Sequence, residues 1–102
     1  MGDGNKMIVE LTTKEYDILE NGKIVLDFYA QWCGQCKMVS PKVSEISDNK
    51  KDYLFYKVDA DKQPELVEKY KITNLPTFVV LENGNIIGRG GITFLLEWGN
   101  KQ

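Results

Sequence analysis

The chain has 102 residues, a length that fits one domain over residues 1–102. Hydrophobic residues make up 42% of the sequence and charged residues 27%, so we expect one modest core rather than a disordered chain. A net charge of −2 provides no basic surface for a phosphate backbone, which argues against nucleic-acid binding. The sequence contains no histidine, so mechanisms that need an imidazole are excluded.

The amino terminus and the hydrophobic segments indicate where in the cell we expect the protein to be. Residues 1–6 lack the apolar stretch of a signal peptide, and no later segment has the length of a membrane span. We therefore expect a cytoplasmic protein that does not bind membranes. Nothing in the sequence indicates an obligate dimer, so a monomer is expected.

The first half of the chain predicts two strands and two helices. Residues 7–11 form a short edge strand, and Thr12 with Glu15 forms a capping-box pattern before a short helix. Residues 24–30 are almost wholly apolar, which is typical of a strand buried on both faces. A helical spacing of apolar residues then begins at Cys36.

The second half continues the alternation of strands and helices. Strands are predicted at residues 54–58, at 77–81 and around 86–87, and helices after Pro64 and over 94–98. Asn83-Gly84 is a strong hairpin signal between the last two strands. Alternating elements favour parallel strands with covering helices, and the hairpin adds an antiparallel edge. The fold class is therefore α/β, with one mixed central sheet.

Cys33 and Cys36 are the only cysteines, and they lie between a buried strand and a helix. The spacing would suit half of a zinc site, but the sequence has no further cysteine or histidine to complete it. A structural disulfide over so short a loop would stabilise the fold weakly, and two inert buried thiols are also possible. Redox chemistry explains the placement best. A helix start stabilises a thiolate at Cys33, and Cys36 can resolve a mixed disulfide.

Several segments resemble the thioredoxin family. The segment Trp32-Cys33-Gly34-Gln35-Cys36-Lys37 follows Asp27-Phe28-Tyr29-Ala30 and is similar to the active-site segment of that family. Further matches occur, in order, at residues 57–59, 72–77, 83–84 and 91. The resemblance implies the thioredoxin fold, with about five strands and about four helices. It also implies a protein dithiol–disulfide oxidoreductase in which Cys33 is the nucleophile and Cys36 the resolving thiol.

Asp27 is the one charged residue in its apolar strand. It could point to solvent at the strand end, or lie beneath the cysteines, where burial would raise its pKa and suit it to accept a proton near neutral pH. The resemblance implies that Asp27 deprotonates Cys36 and that Lys57 is its charge partner. Tyr29 stands where many relatives have tryptophan, and we expect its side chain in the core.

The resemblance also implies a shallow surface for binding client proteins around Cys33. Its members are Trp32, Gly34, Gln35, Leu75, Pro76 and Gly91. The peptide bond between Leu75 and Pro76 is expected to be cis and to face the cysteines. Gln35 departs from the family, which most often has proline there. We predict that this change makes the disulfide somewhat more oxidising.

The implied activity is the reduction of disulfides in client proteins. The implied partner is a thioredoxin reductase, a flavoprotein using NADPH. The chain has no glycine-rich nucleotide fingerprint, so we expect no bound cofactor. We also expect no metal, and the redox-active cysteine pair is expected to carry the electrons. A disulfide oxidant or isomerase is the alternative within the same chemistry. A redox-inactive binding module is a further alternative, although such a module would not need both cysteines.

Overall fold

A five-stranded mixed sheet forms the centre of the computed structural model, which describes residues 8–12, 14 and 16–101. The strands are β1 (Val9–Glu10), β2 (Lys23–Tyr29), β3 (Leu54–Asp59), β4 (Thr77–Glu82) and β5 (Asn85–Gly90). Their order across the sheet is β1-β3-β2-β4-β5. Strands β1, β3 and β2 are parallel, whereas β4 and β5 are each antiparallel to their neighbours. The predicted α/β fold with one mixed sheet is confirmed.

Four helical segments accompany the sheet in the part of the chain that the structure describes. They are a 3-10 helix (Tyr16–Glu20) and the α-helices α1 (Gly34–Asn49), α2 (Pro64–Lys69) and α3 (Ile92–Gly99). The helix predicted after Thr12 is thus a short 3-10 helix, and Glu15 of its predicted capping box lies outside the described residues. Within the described ranges, no helix combines the length and apolar character needed to cross a membrane.

Strand β2 lies between β3 and β4 and is covered on both faces. Leu26 and Phe28 are fully buried in one core cluster, and Val25 is fully buried in the other. Successive residues of a strand point to opposite faces, so this apolar run supplies both cores at once. A central strand of this kind is a rigid support for the loop that follows it.

The turn between β4 and β5 has the backbone that its sequence predicts. Asn83 and Gly84 have φ values of 51° and 85°. A two-residue type I′ hairpin needs positive φ at both positions, which explains the Asn-Gly pair.

The prediction of a single domain over residues 1–102 includes positions outside the described part of the chain and stays a prediction.

Candidate active site

Cys33 and Cys36 lie at the junction of β2 and α1. Cys33 is the N-cap residue of α1, and its Sγ accepts a hydrogen bond of 3.1 Å from the backbone N–H of Cys36. The two residues form a disulfide, with their Cα atoms 5.3 Å apart. Both are buried, with only 6% of Cys33 and 8% of Cys36 exposed. The chain therefore brings the predicted pair together at the first turn of the helix.

The helix gives Cys33 an environment that favours a thiolate. Helix α1 has 16 residues, so the partial positive charge at its amino terminus is well developed. The first backbone N–H groups of a helix have no acceptor within the helix, and the Cys36 N–H points at the Cys33 sulfur. Both effects stabilise a negative charge on Cys33 once the disulfide is reduced.

Asp27 is buried in the middle of the sheet and lines the same cleft as Cys36. Only 8% of the residue is exposed, which excludes the solvent-pointing alternative. Burial raises the pKa of Asp27 from 3.8 to about 6, the positive charge of Lys57 lowers it, and the negative charge of Glu10 raises it further. A carboxyl group with this pKa can exchange a proton close to neutral pH.

Lys57 occupies the position beside Asp27 on the neighbouring strand. The two residues are paired in the parallel register of β2 and β3, so their side chains share one face of the sheet. The Nζ of Lys57 lies 4.6 Å from the centroid of the Tyr29 ring. The positive charge of Lys57 acts on Asp27, and its ammonium also lies over an aromatic ring that the sequence did not place in the site.

A cleft of about 420 Å³ reaches this buried group. Its lining includes Cys36, Asp27 and Lys57, together with Glu10 and Tyr29. The Tyr29 hydroxyl donates a hydrogen bond of 2.6 Å to Oε1 of Glu10. Glu10 is a site residue that the sequence pattern did not indicate, and Tyr29 was expected in the core. The only sequence signal was a carboxylate inside a short, otherwise apolar strand.

The residues predicted to bind client proteins differ in how far they are exposed. Trp32 is 71% exposed, and its indole N–H donates a hydrogen bond of 3.0 Å to Asp61. Gly34, Gln35 and Gly91 are exposed, Leu75 is half-buried against the cysteines, and Pro76 is buried. The peptide bond between Leu75 and Pro76 is cis, as expected. Because Pro76 is buried, its side chain adds little to the exposed part of this surface.

Metal binding was the main chemical alternative for a cysteine pair. Among residues 8–12, 14 and 16–101, no group of three or more cysteine, aspartate or glutamate side chains is placed to hold a metal ion. The carboxylate behind Cys36 instead has a lysine as its charged neighbour. This arrangement suits proton transfer to and from a thiol.

A cysteine pair at the start of a helix, on a mixed sheet and above a buried carboxylate, is typical of dithiol–disulfide oxidoreductases. The family model described as Thioredoxin matches residues 7–91. The chain belongs to the thioredoxin family.

Individual relatives agree with this assignment. The chain is 38% identical over 82 residues to the mitochondrial thioredoxin-3 of Saccharomyces cerevisiae, a match that covers 80% of this chain and 65% of that protein. It thus spans just under two thirds of that relative's length. Its fold matches the solution structure of the oxidised thioredoxin of Plasmodium falciparum with a TM-score of 0.81 and 33% identity, over 91% of this chain and 95% of that one.

A further structural relative belongs to a structure describing the thiol-resolving mechanism in the yeast mitochondrial 1-Cys peroxiredoxin through glutathione and thioredoxin systems. The TM-score is 0.74 with 35% identity, and the match covers 81% of each chain. These likenesses confirm the thioredoxin fold expected from the sequence.

Proposed function

We propose that this protein reduces disulfide bonds in client proteins by thiol–disulfide exchange, with Cys33 as nucleophile and Cys36 as resolving thiol. The observation that carries the proposal is the position of Cys33. Its sulfur caps α1 and accepts the Cys36 N–H, while the buried Asp27 lies in the cleft that Cys36 also lines. This arrangement supports the three assigned roles of nucleophile, resolving thiol and proton acceptor.

The first step begins from the reduced protein. The Cys33 thiolate attacks one sulfur of a client disulfide, forming a bond between Cys33 and that sulfur, and the other client sulfur leaves as a thiolate. The helix start stabilises the attacking thiolate relative to the thiol. The product is a mixed disulfide between Cys33 and the client.

The second step releases the client. Asp27 in its carboxylate form accepts the proton of the Cys36 thiol, and the resulting thiolate attacks the Sγ of Cys33. The bond between Cys33 and the client breaks, and the client sulfur leaves as a thiolate that then takes up a proton. The client has gained an electron pair, and Cys33 and Cys36 are oxidised to the disulfide.

The client would dock on the surface around Cys33. Trp32, Gly34, Gln35, Leu75, Pro76 and Gly91 are the proposed contacts. The exposed indole of Trp32 and the half-buried side chain of Leu75 provide the apolar part of this surface. An open surface is better suited than a deep pocket to transient contact with varied protein segments.

The electron pair must be restored after each cycle. We propose that a thioredoxin reductase, a flavoprotein that draws on NADPH, reduces the Cys33–Cys36 disulfide. The peroxiredoxin connection of the yeast relative suggests that peroxiredoxins are among the clients. The cytoplasmic location expected from the sequence stays a prediction, which cell fractionation would test, and the yeast relative is mitochondrial.

Trapping the mixed disulfide tests the proposal. Cys36→Ser removes the resolving thiol, so this variant should form a stable adduct with a disulfide-bonded client such as insulin, visible on a non-reducing gel. Cys33→Ser is the matched control and should form no such adduct. Equal trapping by both variants, or by neither, would refute the assigned roles.

A further inference from the structure

Three charged side chains cross the sheet in one row behind the cysteines. Glu10 on β1 is paired in register with Lys57 on β3, and Lys57 is paired with Asp27 on β2. Residues paired in a parallel register point to the same face, and all three line the same cleft. A lysine therefore lies between two carboxyl groups, one of which is the proposed proton acceptor.

Tyr29 contacts two members of this row, Glu10 and Lys57. It follows Asp27 by two positions on β2, so both side chains share one face. Its hydroxyl donates to Oε1 of Glu10 at 2.6 Å, and its ring lies under the Lys57 ammonium, 4.6 Å away. Burial and the hydrogen bond to Glu10 raise the pKa of Tyr29, so the hydroxyl stays protonated and remains a donor.

We propose that Glu10 is a positioning residue of the active site, which shares the Lys57 ammonium with Asp27 and is held in place by the Tyr29 hydroxyl. This inference rests on the proposed function, because its consequence is the readiness of Asp27 to carry the proton of Cys36. Glu10 does not contact the disulfide and acts only through Lys57 and through its own charge.

The direction of the effect follows from the charges that face Asp27. The titratable side chains that line its cleft, from α1, β1, β2 and β3, are Glu10, Tyr29, Cys36, Lys37 and Lys57, and the charge of Asp59 acts on Tyr29. Lys57 favours the carboxylate form of Asp27, and Glu10 disfavours it. Removing the charge of Glu10 leaves Lys57 to act on Asp27 alone. Asp27 should then lose its proton at lower pH.

The size of the effect follows from the sheet geometry. Neighbouring strands lie about 4.8 Å apart, so Glu10 and Asp27, two strands apart, are separated by about 10 Å. At that separation, effective dielectric constants of about 20 to 80 give a change of about 0.3 to 1 pH unit. This change in the pKa of Asp27 is smaller than the rise that burial causes. It occurs in the pH range over which Asp27 titrates.

The test is to replace Glu10 by glutamine, which removes the charge and keeps an oxygen that can accept from Tyr29. The titration of Asp27 is followed by carboxyl ¹³C NMR in the full-length oxidised protein. We expect the Asp27 midpoint in Glu10→Gln to fall by about 0.3 to 1 pH unit. The pH profile of insulin reduction should move to lower pH by the same amount.

A second glutamate–tyrosine hydrogen bond provides the matched control. Tyr53 donates a hydrogen bond of 2.6 Å to Oε2 of Glu82, which lies at the far end of β4. Glu82→Gln should leave the Asp27 midpoint unchanged. A downward change that is equal in Glu82→Gln and Glu10→Gln would show a general charge effect and would overturn the proposal.

The two levels of inference fail separately. An unchanged Asp27 midpoint in Glu10→Gln would overturn the role of Glu10, whether or not the protein reduces insulin. A midpoint that falls while the rate profile of an active protein stays fixed would also overturn it, because Asp27 would then not carry the relevant proton. Failure of the parent protein to reduce insulin would refute the proposed function and leave the NMR result standing.

Discussion

Replacing Asp27 by asparagine should make the folded protein more stable at neutral pH. The pKa of Asp27 is 3.8 in its ordinary state and about 6 in the fold, where the carboxylate is buried. Because the pKa is raised by folding, the charged form disfavours the folded state. Two pKa units at about 1.4 kcal/mol each correspond to about 3 kcal/mol of lost stability when Asp27 is ionised.

The pH range of this effect is set by the two pKa values. The penalty is absent well below pH 3.8, where the group is protonated in both states; it is small at pH 4 and nearly complete above about pH 6. A buried amide has its own cost of about 1 to 3 kcal/mol if its donors are unpaired, but that cost does not change with pH. The difference between the stabilities at pH 8 and at pH 4 therefore isolates the charge.

Urea unfolding of the oxidised protein measures this difference. The free energy of unfolding of Asp27→Asn relative to the parent should rise by about 3 kcal/mol between pH 4 and pH 8. Glu97→Gln, an exposed change on α3, is the control and should stay within about 0.5 kcal/mol of the parent at both pH values. A relative stability of Asp27→Asn that is the same at both pH values would refute the assignment of Asp27 as a buried, charged group at neutral pH.

Three further predictions concern activity. Asp27→Ala should slow insulin reduction by about tenfold at pH 7 and less at pH 9, where hydroxide can deprotonate Cys36, and an unchanged pH profile would remove Asp27 from the mechanism. Gln35→Pro should make the disulfide more reducing in glutathione buffers, because proline removes an N–H and restricts the second residue of α1, and no change or the opposite change would count against this reasoning. Trp32→Ala should raise the KM for insulin about fivefold with little change in kcat, since its indole is exposed beside Cys33, and a loss confined to kcat would contradict a docking role.

The parts of the fold with strong local signals were predictable from the sequence. The apolar run of β2, the proline that begins α2 and the Asn83-Gly84 turn all appear where their patterns placed them. The predictions for the first two elements were less accurate, because each element is too short for its periodicity to define it. In the structure, β1 has only two residues, and the helix that follows is a 3-10 helix.

The central pair of the site was predictable because its residues are close in sequence. Cys33 and Cys36 are separated by one helical turn, and Asp27 stands out as a charge in an apolar strand. The contact between Glu10 and Tyr29 joins residues on β1 and β2, which are neighbours only through β3. Tyr29 was expected in the core because its ring is apolar, and the ring is indeed buried while the hydroxyl reaches the cleft. Contacts of this kind depend on strand order and register, which one sequence does not reveal.

The reduction potential of the Cys33–Cys36 couple tests the central claim most directly. The oxidised and reduced forms would be equilibrated against a glutathione or dithiothreitol series and followed by Trp32 fluorescence, with thiol alkylation as a second readout. A reductase of client disulfides requires a couple more reducing than the cytosolic glutathione pool, and this is the result we predict. A couple more oxidising than that pool would contradict the proposed function and indicate a disulfide oxidant or isomerase.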